Sequence, residues 1–327
     1  MKVCIIGSVG HVGQAFRELR DCPQAEFVGI APGSEQETAD SLFGYDIPVF
    51  ADYRQMLRET QPEMAIISPV YGLTGTIAME CASCGIHVFC EKPVAGTLEE
   101  LEMLEAVAAQ NKVRIGAMHY LRFSPNFYHA KKMINQGCVG QVRLVNARKS
   151  YRFGNRPDWY RERKDYTGTI LWVGIHAIDW IRFFTGKKFR SVTALHDGNP
   201  EMSALCQFAL EDGVMASASI DFYRPQAAPT HGDDWVRIVG TEGVMEVSEE
   251  QISLINEDGE QIFCFADAPK LTLDFLLDRS ELSTEEIMEV TKAALLARES
   301  ADLRGKQYLI EERVENNEKN CVDLRIP

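Results

Sequence analysis

Short apolar runs separated by amphipathic stretches fill the first third of the chain. Residues 3–6, 26–30, 48–50, 64–68, 87–90 and 113–117 each read as a strand, most of them too short and too uniformly apolar to keep one face wet. Helical stretches over 11–20, 74–84 and 97–110 lie between them. Gly85 offers a C-cap to the second helix, and Thr97 followed by Glu100 is a capping-box pattern for the third. Buried strands alternating with helices of this length predict a parallel sheet, here of six strands, covered on both faces.

Beyond residue 120 the period changes. Helices are expected over 125–136 and 168–184, with alternating segments at 141–151, 190–197, 203–211, 213–223, 235–239, 243–248 and 260–265. Glu-Asp-Gly at 211–213 and again at 257–259 marks two hairpin turns. A last helix runs from 284 to 301 behind the N-cap Ser283, with Glu285 and Glu286 in its first turn. The fold class that follows is α/β: an N-terminal Rossmann domain with a parallel sheet over 1–120, and a C-terminal α+β domain with a large, mostly antiparallel open sheet over 121–327. The polar tail after Gly305 reads as peripheral.

Length and charge narrow the function. A chain of 327 residues suits two cores rather than one. Net charge is −14, from 34 basic and 48 acidic residues, which disfavours nucleic acid and anionic membrane as partners. The basic stretch from Lys149 to Lys164 reads as a loop or the rim of a site. No apolar run approaches the roughly 20 residues of a membrane helix, and MKVCIIG is strand-like rather than a leader, so a cytoplasmic location is expected. The nine cysteines, from Cys4 to Cys321, read as thiols. Cys81 and Cys84 form a CxxC without a second ligand pair, and no metal site is expected.

Candidate chemistry begins where the first strand meets its helix. Gly7-Ser-Val-Gly10-His-Val-Gly13 lets backbone approach a pyrophosphate at a helix N-terminus, or simply makes a tight turn. Its residues Gly7, Val9, Gly10, His11, Val12 and Gly13 are candidate dinucleotide contacts. The second strand ends Ile30-Ala-Pro-Gly-Ser34, without an acid for a ribose or an arginine for a 2′-phosphate. Ser34 can serve either, so NAD and NADP both stay open. Glu91 and Lys92 close the fifth predicted strand, where ligands of such sheets bind. A lysine there can hold a substrate hydroxyl and stabilise an alkoxide; a surface ion pair is the plain alternative. On helix 168–184, Trp172, His176, Asp179 and Phe183 fall on one face. His176 and Asp179 there are either satisfied core groups or the lining of a cleft. His231, beside Asp233 and Asp234 in a predicted loop, either reaches that cleft or caps a turn. Tyr151, Arg152 and residues 159–163 lie on a long connection that suits the rim of a polyhydroxylated or acidic substrate's site.

Taken in order, the glycine loop, GIHVFCEKPVAG (85–96), LRFSPNFYHAKKMINQGCVGQV (121–142), GIHAIDW (174–180) and GDDWVRIVGTEGVMEV (232–247) make the chain resemble the glucose–fructose oxidoreductase / inositol dehydrogenase / MocA family. The resemblance runs from residue 1 to about 305. It implies NAD(P)-dependent hydride transfer on a sugar, inositol or related polyol, and a homodimer or homotetramer formed through the C-terminal sheet. It assigns Lys92 to nicotinamide and substrate, His176 to acid–base chemistry or substrate anchoring, and Arg122 to the nicotinamide end. Ser68-Pro-Val-Tyr-Gly-Leu-Thr74 stands where the family has TPNxxH, leaving Ser68 and Pro69 as cofactor contacts. Trp172 stands where dehydrogenases of the family carry an aspartate. Catalytic residues are thus Lys92 and His176, with Trp172, Asp179 and His231 joining them in substrate binding; Asp179 is expected to orient His176. Two other functions fit the same pattern: a non-catalytic dinucleotide-binding regulator, and a lyase or glycosidase that oxidises its substrate transiently.

Overall fold

A computed structural model describes residues 1–37, 46–198 and 201–310. Cys321 and most of the polar tail lie outside the described residues. The parallel sheet is built from β1 (Lys2–Ile6), β2 (Glu26–Ala31), β3 (Met64–Ile67), β4 (His87–Cys90) and β5 (Ile115–Ala117), in the order β2-β1-β3-β4-β5. Helices α1 (Val12–Leu19), α2 (Tyr53–Thr60), α3 (Thr74–Ser83) and α4 (Leu98–Asn111) connect its strands. β3 is buried at every position, as a sheet covered on both faces requires.

The sheet has five strands, not six. Segment 48–50 reaches it through one parallel bridge, Ile30 to Val49. Pro48 has no N–H to give a ladder, and Val49 is exposed. Helix α2 was not expected. It buries only Tyr53 and Met56, and the Asp52 carboxylate caps it by accepting from the Gln55 N–H at 2.7 Å. At α4 the Thr97 hydroxyl accepts from Glu100 N–H at 3.1 Å. The Glu100 carboxylate, however, takes the Gly96 N–H at 2.8 Å instead of closing the box on Thr97.

The second sheet follows α5 (Pro125–Asn135) and comprises β6 (Val142–Tyr151), β7 (Phe189–His196), β8 (Ser203–Leu210), β9 (Met215–Asp221), β10 (Gly232–Gly240), β11 (Val244–Ser248), β12 (Ile252–Asn256), β13 (Gly259–Phe263) and β14 (Tyr308–Leu309). Its order is β13-β12-β11-β10-β6-β9-β8-β7-β14, and β6 runs parallel to β9 within an otherwise antiparallel arrangement. Both Glu-Asp-Gly segments make the expected turns, with Gly213 at φ 72° and Gly259 at φ 91°. Short helices α6 (Arg163–Tyr166) and α8 (Leu271–Leu276) precede α7 (Ile175–Thr185) and the long α9 (Thr284–Asp302), respectively.

Two features of this half position the site. The helix predicted over 168–184 opens with a wide π-turn at Ile170–Gly174 before α7 begins. A Cβ on Gly174 would sit 2.4 Å from Ile220 Cδ1, so glycine lets this turn lie directly on β9. Helix α9, with a complete Ser283–Glu286 capping box, ties the two sheets together. Thr284 Oγ1 accepts from Ile115 N–H at 3.0 Å, and Arg298 donates to the carbonyls of Gly96 at 2.8 Å and Thr167 at 3.0 Å. Among the described residues no helix is long and apolar enough to cross a membrane.

Candidate active site at the carboxyl ends of the parallel strands

The glycine loop is held by close approach on two sides. Gly7 (φ 90°) leaves no room for a side chain, because a Cβ would lie 2.4 Å from the Ser68 carbonyl carbon and 2.5 Å from Pro69 N. At Gly10 (φ 62°) a Cβ would lie 2.2 Å from Glu91 Oε1. Val9 N–H donates to the Ser68 carbonyl at 3.0 Å, and the Ser68 hydroxyl donates back to Val9 O. Val12 and Gly13 then open α1. The loop thus lies between β1 and β3, where strand order reverses and a dinucleotide fits.

An acid does reach this loop, though none ends β2. The Glu37 carboxylate accepts from Ser8 N–H at 2.5 Å, Gly33 N–H at 3.2 Å and the Ser34 hydroxyl at 3.2 Å. Burial pushes its pKa up against those hydrogen bonds. One backbone N–H of the glycine loop, from Ser8, and one from the turn after β2, from Gly33, thus point at the two oxygens of a single carboxylate. Ser34, expected to face cofactor, is turned onto Glu37. The sequence held a signal for this in Ser34-x-x-Glu37, the spacing of a capping box.

β4 delivers Glu91 and Lys92, joined to Pro93 by a cis peptide. Glu91 is fully buried and accepts from His11 N–H at 2.8 Å and from Lys92 N–H at 2.9 Å. Burial works to raise its pKa, but His11, Lys92 and these hydrogen bonds bring it below the ordinary value, so it stays a carboxylate. The Lys92 ammonium end sits 3.1 Å from the centre of the Trp172 ring and donates to the Trp172 carbonyl at 3.0 Å. Trp172 in turn stacks on Tyr71 with centroids 3.4 Å apart. Lys92 is left 2% exposed. That burial, reinforced by the charges of Lys149 and Arg156 and opposed by Glu91, lowers its pKa to about 7.

His176 lies on the same side. Its ring centre is 6.4 Å from that of His11 and 6.0 Å from that of His119. It is 3% exposed, and its Nδ1 has no hydrogen-bond partner among the described residues. Burial first, and then the positive charge of Lys92, hold its pKa well below the usual histidine value, so the imidazole is neutral. His119, just beyond β5, is fully buried, and neither ring nitrogen has a hydrogen-bond partner among the described residues. The sequence reading passed over it.

Lys92, Trp172 and His176 thus come together. Asp179 and Arg122 do not join them as free groups. Arg122 donates to Asp179 through Nε at 3.0 Å and Nη2 at 2.6 Å, and it reaches Glu286 at 3.4 Å. Asp179 is therefore held by Arg122 instead of orienting His176; its second neighbour is His119 Nδ1 at 3.8 Å.

His231 is exposed, with its ring 5.0 Å from that of Tyr151. Its neighbours Asp233 and Asp234 are not in a loop but open β10. Asp234 is the direct cross-strand partner of Lys149, and the two form a buried ion pair. Lys149 also donates to the Tyr151 hydroxyl at 2.7 Å. Alternation along β6 signals this, since Val145, Ala147 and Lys149 share the buried side. An open groove of about 890 Å³, lined in part by Pro62, Met79, Cys84 and Ile86, lies instead at the amino ends of the parallel strands, away from this cluster.

Residues 1–119 match the family described as "Oxidoreductase family, NAD-binding Rossmann fold", and residues 127–246 match the GFO/IDH/MocA C-terminal domain. A solved protein of Thermotoga maritima is 42% identical, covers 95% of this chain and 100% of its own, and superposes with a TM-score of 0.89. The rhizopine catabolism protein MocA of Rhizobium meliloti is 24% identical over 78% of this chain and 79% of its own. Levoglucosan dehydrogenase of Pseudarthrobacter phenanthrenivorans is 31% identical over 51% of this chain and 44% of its own. A levoglucosan dehydrogenase solved with NADH shares the fold, with a TM-score of 0.82 at 16% identity, covering 95% of this chain and 99% of that one. The glycine loop lodged against β3, the Glu91–Lys92 pair at the end of β4 and these matches over both halves lead to one conclusion: the chain belongs to the Gfo/Idh/MocA family of NAD-binding oxidoreductases.

Proposed function

We propose that this protein oxidises a hydroxyl-bearing carbon of a sugar, inositol or related polyol, or reduces the matching carbonyl. The observation that carries the reading is Lys92, buried at the end of β4 with its pKa lowered to about 7, beside a neutral His176. The glycine loop, Ser68, Pro69 and Glu91 would hold the dinucleotide, which when bound supplies the hydride acceptor. Neutral Lys92 accepts the proton of the reacting hydroxyl; as an ammonium it polarises the carbonyl in the reverse direction. The unpartnered Nδ1 of His176 gives that proton a second station. Glu91, kept ionised, fixes both the start of α1 and the backbone at Lys92. Trp172, backed by Tyr71, covers Lys92 and excludes water from it.

Residues 1–120 form the dinucleotide domain in this reading, and 121–327 the domain for substrate and for assembly. Leu195, Leu205, Met215 and Ile262 are exposed on strands of the second sheet and suit a homodimer or homotetramer contact. The test is a screen for reduction of NAD and NADP across polyols with wild type and Lys92→Ala. Turnover by wild type alone supports the assignment, and equal turnover rejects it. Exchange of a substrate C–H without net reduction would move the protein to the lyase class.

A further inference from the structure

Resting on that reading, we propose that the substrate is acidic, a sugar or polyol bearing an oxyanion, and that Arg156 is the residue that anchors it. Three buried acids of the site are already committed. Glu91 holds His11 and the Lys92 backbone, Asp234 holds Lys149, and Asp179 holds Arg122. Arg156 has no carboxylate partner among the described residues. Nη1 donates to the Tyr160 hydroxyl at 3.5 Å, and Nε is buried without a hydrogen-bond partner among the described residues. The guanidinium carbon lies 5.1 Å from the Tyr160 ring centre and 5.6 Å from that of Phe222. Those two rings hold the side chain in place while leaving Nε without an acceptor.

Contacts connect this guanidinium to the reacting end of the site. The Tyr160 hydroxyl meets the Tyr71 hydroxyl at 2.9 Å, Tyr71 stacks on Trp172 at 3.4 Å, and Trp172 covers Lys92. The charge of Arg156 is felt at Lys92 itself. A chain with 48 acidic residues has placed none of the described ones on this arginine. An unpaired, half-buried cation is costly to keep unless something anionic neutralises it. A planar guanidinium with free donors fits a carboxylate or a phosphate in two-point contact.

The experiment measures calorimetric binding to the NADH-loaded protein of D-glucuronate, D-glucose 6-phosphate and D-glucose, in wild type, Arg156→Gln and Arg156→Lys. At least one acid is expected to bind tenfold or more tighter than glucose. Arg156→Gln should weaken that acid by roughly 10- to 100-fold, the range of a charge-assisted hydrogen bond, and leave glucose unchanged. Arg156→Lys should recover part of the loss, and all three proteins should unfold at the same temperature. Whichever acid responds identifies carboxylate or phosphate. Glucose binding as tightly as both acids, no binding of either acid, or an acid indifferent to Arg156→Gln overturns the inference. NAD reduction is followed in parallel. Neutral polyols oxidised while acids are ignored would sink this inference and leave the oxidoreductase reading intact. Acids held through Arg156 without reduction of any dinucleotide would do the reverse.

Discussion

Replacing Lys92 with methionine should change how stability depends on pH. Lys92 falls from the ordinary 10.5 to about 7 in the folded protein. At 1.36 kcal/mol per tenfold, that difference is worth about 5 kcal/mol. Between the two values the unfolded chain holds a proton that folded Lys92 has released. The wild type therefore gains stability as pH rises through this window; the gain is complete above 10.5 and is lost as pH falls to 7. Methionine keeps the volume and removes the titration. The stability of wild type minus Lys92→Met should rise by about 2 kcal/mol between pH 7 and pH 9, with a limiting slope near 1.4 kcal/mol per pH unit. Urea unfolding at a series of pH values measures it. A difference that stays flat from pH 7 to 9 would show that Lys92 titrates as an ordinary lysine, and the case for a neutral amine at neutral pH would go with it.

Three other perturbations test the surroundings of that lysine. Gly10→Ala puts a methyl into Glu91 at a left-handed φ; NADH affinity, read by fluorescence, should fall at least tenfold, and unchanged binding would contradict the packing described. Asp179→Ala leaves the buried Arg122 guanidinium without its main carboxylate and should destabilise the protein by about 3–5 kcal/mol in chemical unfolding, while pairing it with Arg122→Met should recover much of the loss. Trp172→Ala opens Lys92 to water; its pKa should climb back toward the ordinary lysine value, and competitive acetylation across pH should show the amine reacting at higher pH than in wild type.

Much of this molecule could be read from local pattern, because local pattern is what builds those parts. Uniform apolar runs gave the parallel strands, and Ser283 with Glu286 gave the start of α9. Glu91-Lys92 was placed at a strand's carboxyl end, where the structure has it. The misses share a cause. Arg122 and Asp179 are 57 residues apart, and no periodicity says that one will clasp the other. Glu37 curls back onto the glycine loop from beyond β2, a path set by tertiary packing. Lys149 and Asp234 lay closer to view: both sit on the buried side of alternating strands, but starting the second strand at 235 left Asp234 in a loop. Helix α2 buries only Tyr53 and Met56, and α8 spans only six residues, so neither offers a run long enough for a helical period to be read.

The wide turn at Ile170–Gly174 has a consequence for how such a site varies by descent. It holds one residue more than ordinary helical pitch would. Losing a single codon there would restore that pitch and swing the indole of Trp172 by about 100° around the axis, the rotation of one helical residue. Gly174 would keep its seat against Ile220, and His176 would stay where it is. The cover over Lys92 and the position of the histidine are thus separately heritable. Which residue faces the lysine is then a question of phase as much as of residue identity.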